Sequence, residues 1–240
     1  MLATLRSALE PHGLNLIGAT PLEPYDRLVP EEHALRRLDP GAVTAIVIGN
    51  GGRALWDALR AHARADPVLG GDPEPVDRFT SSLIEDTAAR VLGRDVRRIL
   101  YPFRFPADAV SFVRLAECAG LGRPSRVGVL IHPVYGPWIA LRAAILVPFA
   151  VDLPRPVAGF DPCPTCVEQA CVTACPGGAV GDAGWDIGHC AAHRRRDDDP
   201  CASRCHARFE CVIGRAHRYP PDALAYHQAR ARPALVRWPG

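Results

Sequence analysis

Eight of the nine cysteines in this 240-residue chain lie between Cys163 and Cys211. The set opens as Cys163-x₂-Cys166-x₄-Cys171-x₃-Cys175-Pro176 and continues with Cys190, Cys201, Cys205 and Cys211, while Cys118 stands apart. Thiols at this density pair as disulfides, hold zinc or hold an iron–sulfur cluster. An odd count, and an N-terminal stretch MLATLRSALEPHG without the continuous apolar core of an export signal, argue against a disulfide framework. Zinc wants two closely spaced ligand pairs. Cys163-x₂-Cys166 is one such pair, there is no second, and His189, His193 or His206 would have to complete the site. A [4Fe–4S] cluster needs four thiolates converging on a cube, and the ending C-x₃-C-P is that of the ligand run C-x₂-C-x₂-C-x₃-C-P. Here the middle gap holds four residues, Val167 to Ala170.

In such runs the last cysteine serves the other cluster of a two-cluster protein. Cys163, Cys166 and Cys171 are therefore read as the trio of one cube. Cys175, Cys190, Cys201, Cys205 and Cys211 supply the remaining ligands, four plus four matching two cubes, with a single cube as the alternative. Cys118, inside the helix-like LAECAG, reads as a small buried apolar residue.

Apolar residues make up 48% of the chain and charged residues 22%, an ordinary globular composition, and the net charge is +2. A balance so near neutral leaves no footprint for nucleic acid or a membrane surface. No run approaches the roughly 18 apolar residues of a membrane span, and the expected compartment is the reducing cytoplasm. The run HRRRDDDP (193–200) reads as a solvated loop whose opposite charges cancel, with a docking patch for a redox partner as the alternative.

The elements that must position the cysteines come in two regions. Residues 1–150 read as mixed α and β. Helices are expected at 2–10, 52–65, 76–92 and 107–120, and strands at 14–19, 42–49, 97–102, 126–133 and 138–149. The last two strands are joined by a turn, VYGP. A Pro/Gly-rich connector at 147–162 marks a domain boundary. The segment 151–218 is short of large apolar residues, so it needs a metal staple to order it. Residues 219–240 read as a C-terminal tail.

No G-x-S-x-G, H-E-x-x-H or Walker loop is present. The unusual stretch is AGLGRPSRVGVLIHPVYGPWIALRAAIL (119–146). AGLG, then HPxYGxW, an apolar strand and a C-x₂-C…C-x₃-C-P run resemble the epoxyqueuosine reductases. HPVYGPWIALRAAILVP with VDLP after it, and PEPVDRF (73–79) upstream, also look like the cobalamin-processing proteins of the CblC (MMACHC) type. Both families, and the reductive dehalogenases, share an α+β corrinoid-binding core of the nitroreductase-like type. The resemblance implies that core followed by a small ferredoxin-like 4Fe-4S module.

It further implies a cobalamin held near Gly120, Gly122, His132, Tyr135, Gly136, Trp138 and Arg142, with Leu130 and Ile131 as apolar walls. A low-potential donor such as a ferredoxin or flavodoxin would supply electrons, and nucleic acid is not expected as a partner. The function implied first is reduction or remodelling of a corrinoid. The alternatives are an epoxyqueuosine-reductase-like enzyme, with Asp108 or Glu117 as proton donor, and a non-catalytic electron-transfer protein. Two departures from the reductases stand out. Asp108 is displaced from the family's V-D-S/T-x-P position, and the stretch after Cys211 is too short for their tRNA-binding extension.

Overall fold

The computed structural model describes residues 1–104, 109–152 and 159–238. The chain divides into two compact units, Met1–Gly122 with Ile139–Ala158, and Arg123–Trp138 with Gly159–Gly240. The class is α+β, as predicted, with every strand pairing antiparallel.

The first unit is built on a four-stranded sheet in the order Leu16–Pro21, Thr44–Gly51, Ile139–Val147, Arg98–Leu100. Every residue of Thr44–Gly51 is buried, and so is most of Ile139–Val147. A strand buried on both faces has no solvent side, which is why these segments read as continuous apolar runs rather than alternating ones. The helices Ala54–Ala65, Pro75–Val91 and Phe112–Cys118 pack on this sheet. Pro75 stands at the start of its helix, where a missing N–H costs nothing. Just before it, Asp72 accepts from the Glu74 amide at 2.7 Å and pairs with Arg78 at 3.1 Å. That helix buries Val76, Phe79, Thr80, Ile84, Thr87 and Ala88, the three-and-four spacing of one apolar face.

The second unit has short ribbons and short helices around an aromatic knot. Trp138 is fully buried, edge-on to Phe209 and Tyr219 at 6.2 and 5.6 Å. The Arg208 guanidinium lies 5.1 Å over Trp138 and donates to the Pro137 carbonyl at 2.7 Å. The strand expected at 126–133 is reduced to Leu130–Ile131, paired with Arg123–Pro124. Its first half is instead a turn, in which the Ser125 amide donates to Val129 and the Gly128 amide to Ser125.

The VYGP turn forms as expected, with His132 and Gly136 bonded to each other through both amides. Gly136 sits at φ +57°, and a Cβ there would strike the Ile213 carbonyl. Gly136→Ala is therefore expected to destabilise by about 2–3 kcal/mol, from left-handed strain plus the clash. Denaturant unfolding of the purified protein checks it.

Two further readings are corrected. The stretch expected to be a tail contains a 16-residue helix, Pro221–Val236. HRRRDDDP is a solvated loop only in its middle, where 195–198 are exposed; Arg194 and the Asp199 side chain are buried. Arg194 ends the helix Ile187–Arg194 and is buried, donating to Asp199 at 2.7 Å and to the Gln228 side chain at 2.5 Å. Arg195 donates to the carbonyls of Val236 and Trp238. The run pins the last helix down, because a buried guanidinium has to spend its donors on something.

Candidate functional site

All eight clustered cysteines belong to the second unit, and their mutual electrostatic influence sorts them into two groups. Burial pushes the Cys211 thiol up, and the neighbouring Cys171, Cys163 and Cys166 push it further. Cys171 is raised in the same way, by burial, then by Cys163 and Cys166. These four thiols line one cavity of about 240 Å³, together with Arg126, Ile131 and Ile213. Cys190 is raised by burial, then by Cys205 and Cys175. Cys201 is pushed up to about 11 by burial, with Cys205 the next cause. The second group is thus Cys175, Cys190, Cys201 and Cys205. Thiols raised in this way stay protonated until a metal supplies the compensating charge.

The local sequence explains the arrangement. Gln169, left-handed at φ 41°, starts the short helix Ala170–Thr173 that carries Cys171. The extra residues between Cys166 and Cys171 turn outward, leaving Val167 91% exposed. Cys175 ends the next turn, and its sulfur accepts from the Ala179 amide at 3.3 Å. Asp186 caps the helix Ile187–Arg194 by accepting from the His189 amide at 2.8 Å, which sets Cys190 in its first turn. Cys211 directly follows the helix His206–Glu210.

His193, Asp199 and Cys201 bring ligand atoms within 4.8 Å of one another. The Asp199 carboxylate is already committed, accepting from Arg194 at 2.7 Å and from the Cys201 amide at 2.9 Å. His189 faces Asp186 and His206 the Pro200 carbonyl. Those two histidines are turned to other partners, whereas His193, with a ring nitrogen within 4.8 Å of the Cys201 sulfur, has none for its Nε2.

The other predicted residues are divided between the units. Gly120, Gly122 and Arg142 lie in the first, and His132, Tyr135, Gly136 and Trp138 in the second. Gly120, at φ +74°, closes the helix Phe112–Cys118. Arg142 donates to the buried Asn50 side chain at 2.8 Å. Glu117 pairs with Arg114 at 3.1 Å. Asp108 lies outside the described residues. Cys118 is part-exposed rather than buried, and burial followed by Glu117 keeps it a thiol. Leu130 and Ile131 are buried, Ile131 on the cavity of the first cysteine group.

His132 has a defined tautomer. Its Nδ1 accepts from the Val134 and Tyr135 amides at 3.0 and 3.2 Å, so the proton sits on Nε2. Burial, and then His217, push its pKa down to about 4. The unfolded chain takes up this proton near pH 6.5 and the folded one near pH 4, so stability falls as pH drops through that window. The total is about 3 kcal/mol. His132→Asn keeps an acceptor for both amides without titrating, and is expected to flatten that part of the acid limb in unfolding curves.

No sequence-family model and no curated protein matches the chain. Solved structures do match. The epoxyqueuosine reductase of Streptococcus thermophilus superposes with a TM-score of 0.64 at 14% identity, over 92% of this chain and 69% of that one. Another structure of an epoxyqueuosine reductase, solved with a tRNA stem loop, gives 0.57 at 17% identity, over 91% of this chain and 66% of its own. The C. elegans B12-trafficking protein CblC gives 0.57 at 16%, over 98% and 93%. A catabolic reductive dehalogenase, NpRdhA, gives 0.53 at 17%, over 93% of this chain and 34% of its own length. This chain has their fold. The stem loop also removes the ground for expecting no nucleic-acid partner, since a protein of this fold is seen with RNA. Among the described residues no helix is long and apolar enough to cross a membrane.

Proposed function

We propose that the protein is an iron–sulfur protein that carries two [4Fe–4S] clusters and delivers electrons from them to a corrinoid. The observation that carries the cluster half is the partition of eight thiols into two groups of four, one of them around a cavity of about 240 Å³. A zinc ion draws its thiolates in to about 2.3 Å and leaves no cavity, whereas a cluster fills one. Cys163, Cys166, Cys171 and Cys211 would hold one cluster, and Cys175, Cys190, Cys201 and Cys205 the other. Such clusters supply electrons one at a time. The protein's part is to hold the thiolates in place and to keep the cavity walls apolar, as Ile131 and Ile213 do.

The corrinoid half rests on the fold and on the HPxYGxW resemblance. His132 is held neutral within its turn, and Trp138 and Gly136 are spent on the second unit's own packing. Of the predicted binding residues, Gly120, Gly122 and Arg142 of the first unit are part-exposed, and so is Tyr135 of the second. The test is anaerobic purification, assay of iron and sulfide, then addition of cobalamin with and without reductant while the visible spectrum is followed. Bound cobalamin that is reduced faster than in buffer is the expected result, and failure to bind any corrinoid would sink this half.

A second reading, action on a modified nucleoside of tRNA, is favoured by the epoxyqueuosine reductase structures. Asp108 and Glu117 are its proposed proton donors. Turnover of a queuosine-precursor tRNA by the cobalamin-loaded protein would replace the first reading with this one.

A further inference from the structure

Four buried side-chain nitrogens among the described residues have no hydrogen-bond partner, and two of them stand beside the two cysteine groups. Arg126 lines the cavity of Cys163, Cys166, Cys171 and Cys211. Its Nη2 reaches the exposed Asp182 at 3.0 Å, its side chain is 14% exposed, and its Nη1 donates to nothing. His193 is the counterpart in the second group. It lies one helical turn after Cys190, with a ring nitrogen within 4.8 Å of the Cys201 sulfur and a buried, unpartnered Nε2. Room for its ring comes from Gly177, where a Cβ would lie 2.8 Å from the His193 Cβ.

A buried N–H without an acceptor loses its hydration with nothing in return, and two such losses at two thiol clusters ask for a common cause. An iron–sulfur cluster is an anionic acceptor whose sulfurs take N–H hydrogen bonds. Donors and positive charge favour its reduced form, which carries one more electron, and so raise its potential. We propose that Arg126 Nη1 and His193 Nε2 are the hydrogen-bond donors to the two clusters, Arg126 to the first and His193 to the second, each raising the potential of its own cluster. This deepens the cluster reading and rests on it.

The test is an EPR-monitored redox titration of the anaerobically purified full chain, after iron and sulfide have been counted. Absence of cluster iron from the wild type would refute the cluster reading itself, before either donor is tested. With both clusters present, Arg126→Met is expected to lower the midpoint of one cluster and leave the other in place, and His193→Leu to do the reverse. Cys211→Ser and Cys190→Ser identify which signal belongs to which group. Arg126→Lys, which keeps the charge, should recover most of the shift, and Arg126→Gln, which keeps a neutral donor, part of it. Should Arg126→Met lose its cluster outright, the Lys and Gln variants carry the test. Unmoved midpoints in iron-replete variants, or a shift in the wrong cluster, would overturn the proposal.

Discussion

Replacing Cys171 and Cys211 together by serine is expected to remove one cluster, about four of about eight irons, and not both. The two positions are forty residues apart, the third and the last cysteines of the run. Grouping in chain order would put Cys163 to Cys175 on one cube and Cys190 to Cys211 on the other, so the same double change would then strip all the iron. The grouping crosses instead, Cys211 sharing a cavity with the Cys163–Cys171 trio, and Cys190 feeling the charges of Cys205 and Cys175. Cys175→Ser with Cys190→Ser should likewise cost about four irons, those of the other cluster. Cys175→Ser with Cys211→Ser breaks both groups and should cost all of them. Iron and sulfide assays on anaerobically purified protein give the counts. Complete loss in the first two variants would refute the crossed pairing.

The candidate ligands stood out in the sequence because metal chemistry fixes residue type, and C-x₃-C-P implied that Cys175 leaves its own loop. That Cys211 lines the cavity of the Cys163–Cys171 trio was not legible, since nothing local to Glu210 or Val212 says where the chain returns. The first unit's strands and helices were legible for a related reason. Thr44–Gly51, buried on both faces, keeps a continuous apolar run, and Pro75–Val91 buries one face whose period survives in the sequence. Residues 126–129 misled because Val127 and Val129 favour a strand, whereas Gly128 at φ +77° turns the chain. Trp138 and Gly136 were singled out rightly as unusual. Their visible use is internal, though, in a knot with Phe209, Tyr219 and the Ile213 backbone that no sequence spacing announces. Arg194 misled most, since in a run of three basic and then three acidic residues the buried Arg194 and Asp199 look like the four exposed charges between them.

That arginine carries the second large expected effect. Arg194→Met should destabilise the protein by about 3–5 kcal/mol, because it leaves Asp199 buried with a diminished partner. The two side chains are 3% and 4% exposed, and the remaining cation near Asp199, Arg232, is 43% exposed at 3.6 Å. Surface pairs of the same geometry are worth about 1 kcal/mol or less, so the magnitude separates the buried pin from a solvated loop. The pair also reaches the second cysteine group, since the other oxygen of Asp199 accepts from the Cys201 amide at 2.9 Å. Asp199→Ala should therefore lower the thermal midpoint and release the iron held with Cys201, while the first cluster keeps its own. Adding Asp199→Asn to Arg194→Met removes the unpaired charge and retains the acceptor for Cys201, so the double variant should be more stable than Arg194→Met alone. Thermal unfolding and iron content, measured on the same samples, decide it. A single variant within about 0.5 kcal/mol of the wild type, with its iron intact, would mean that the run is solvated after all.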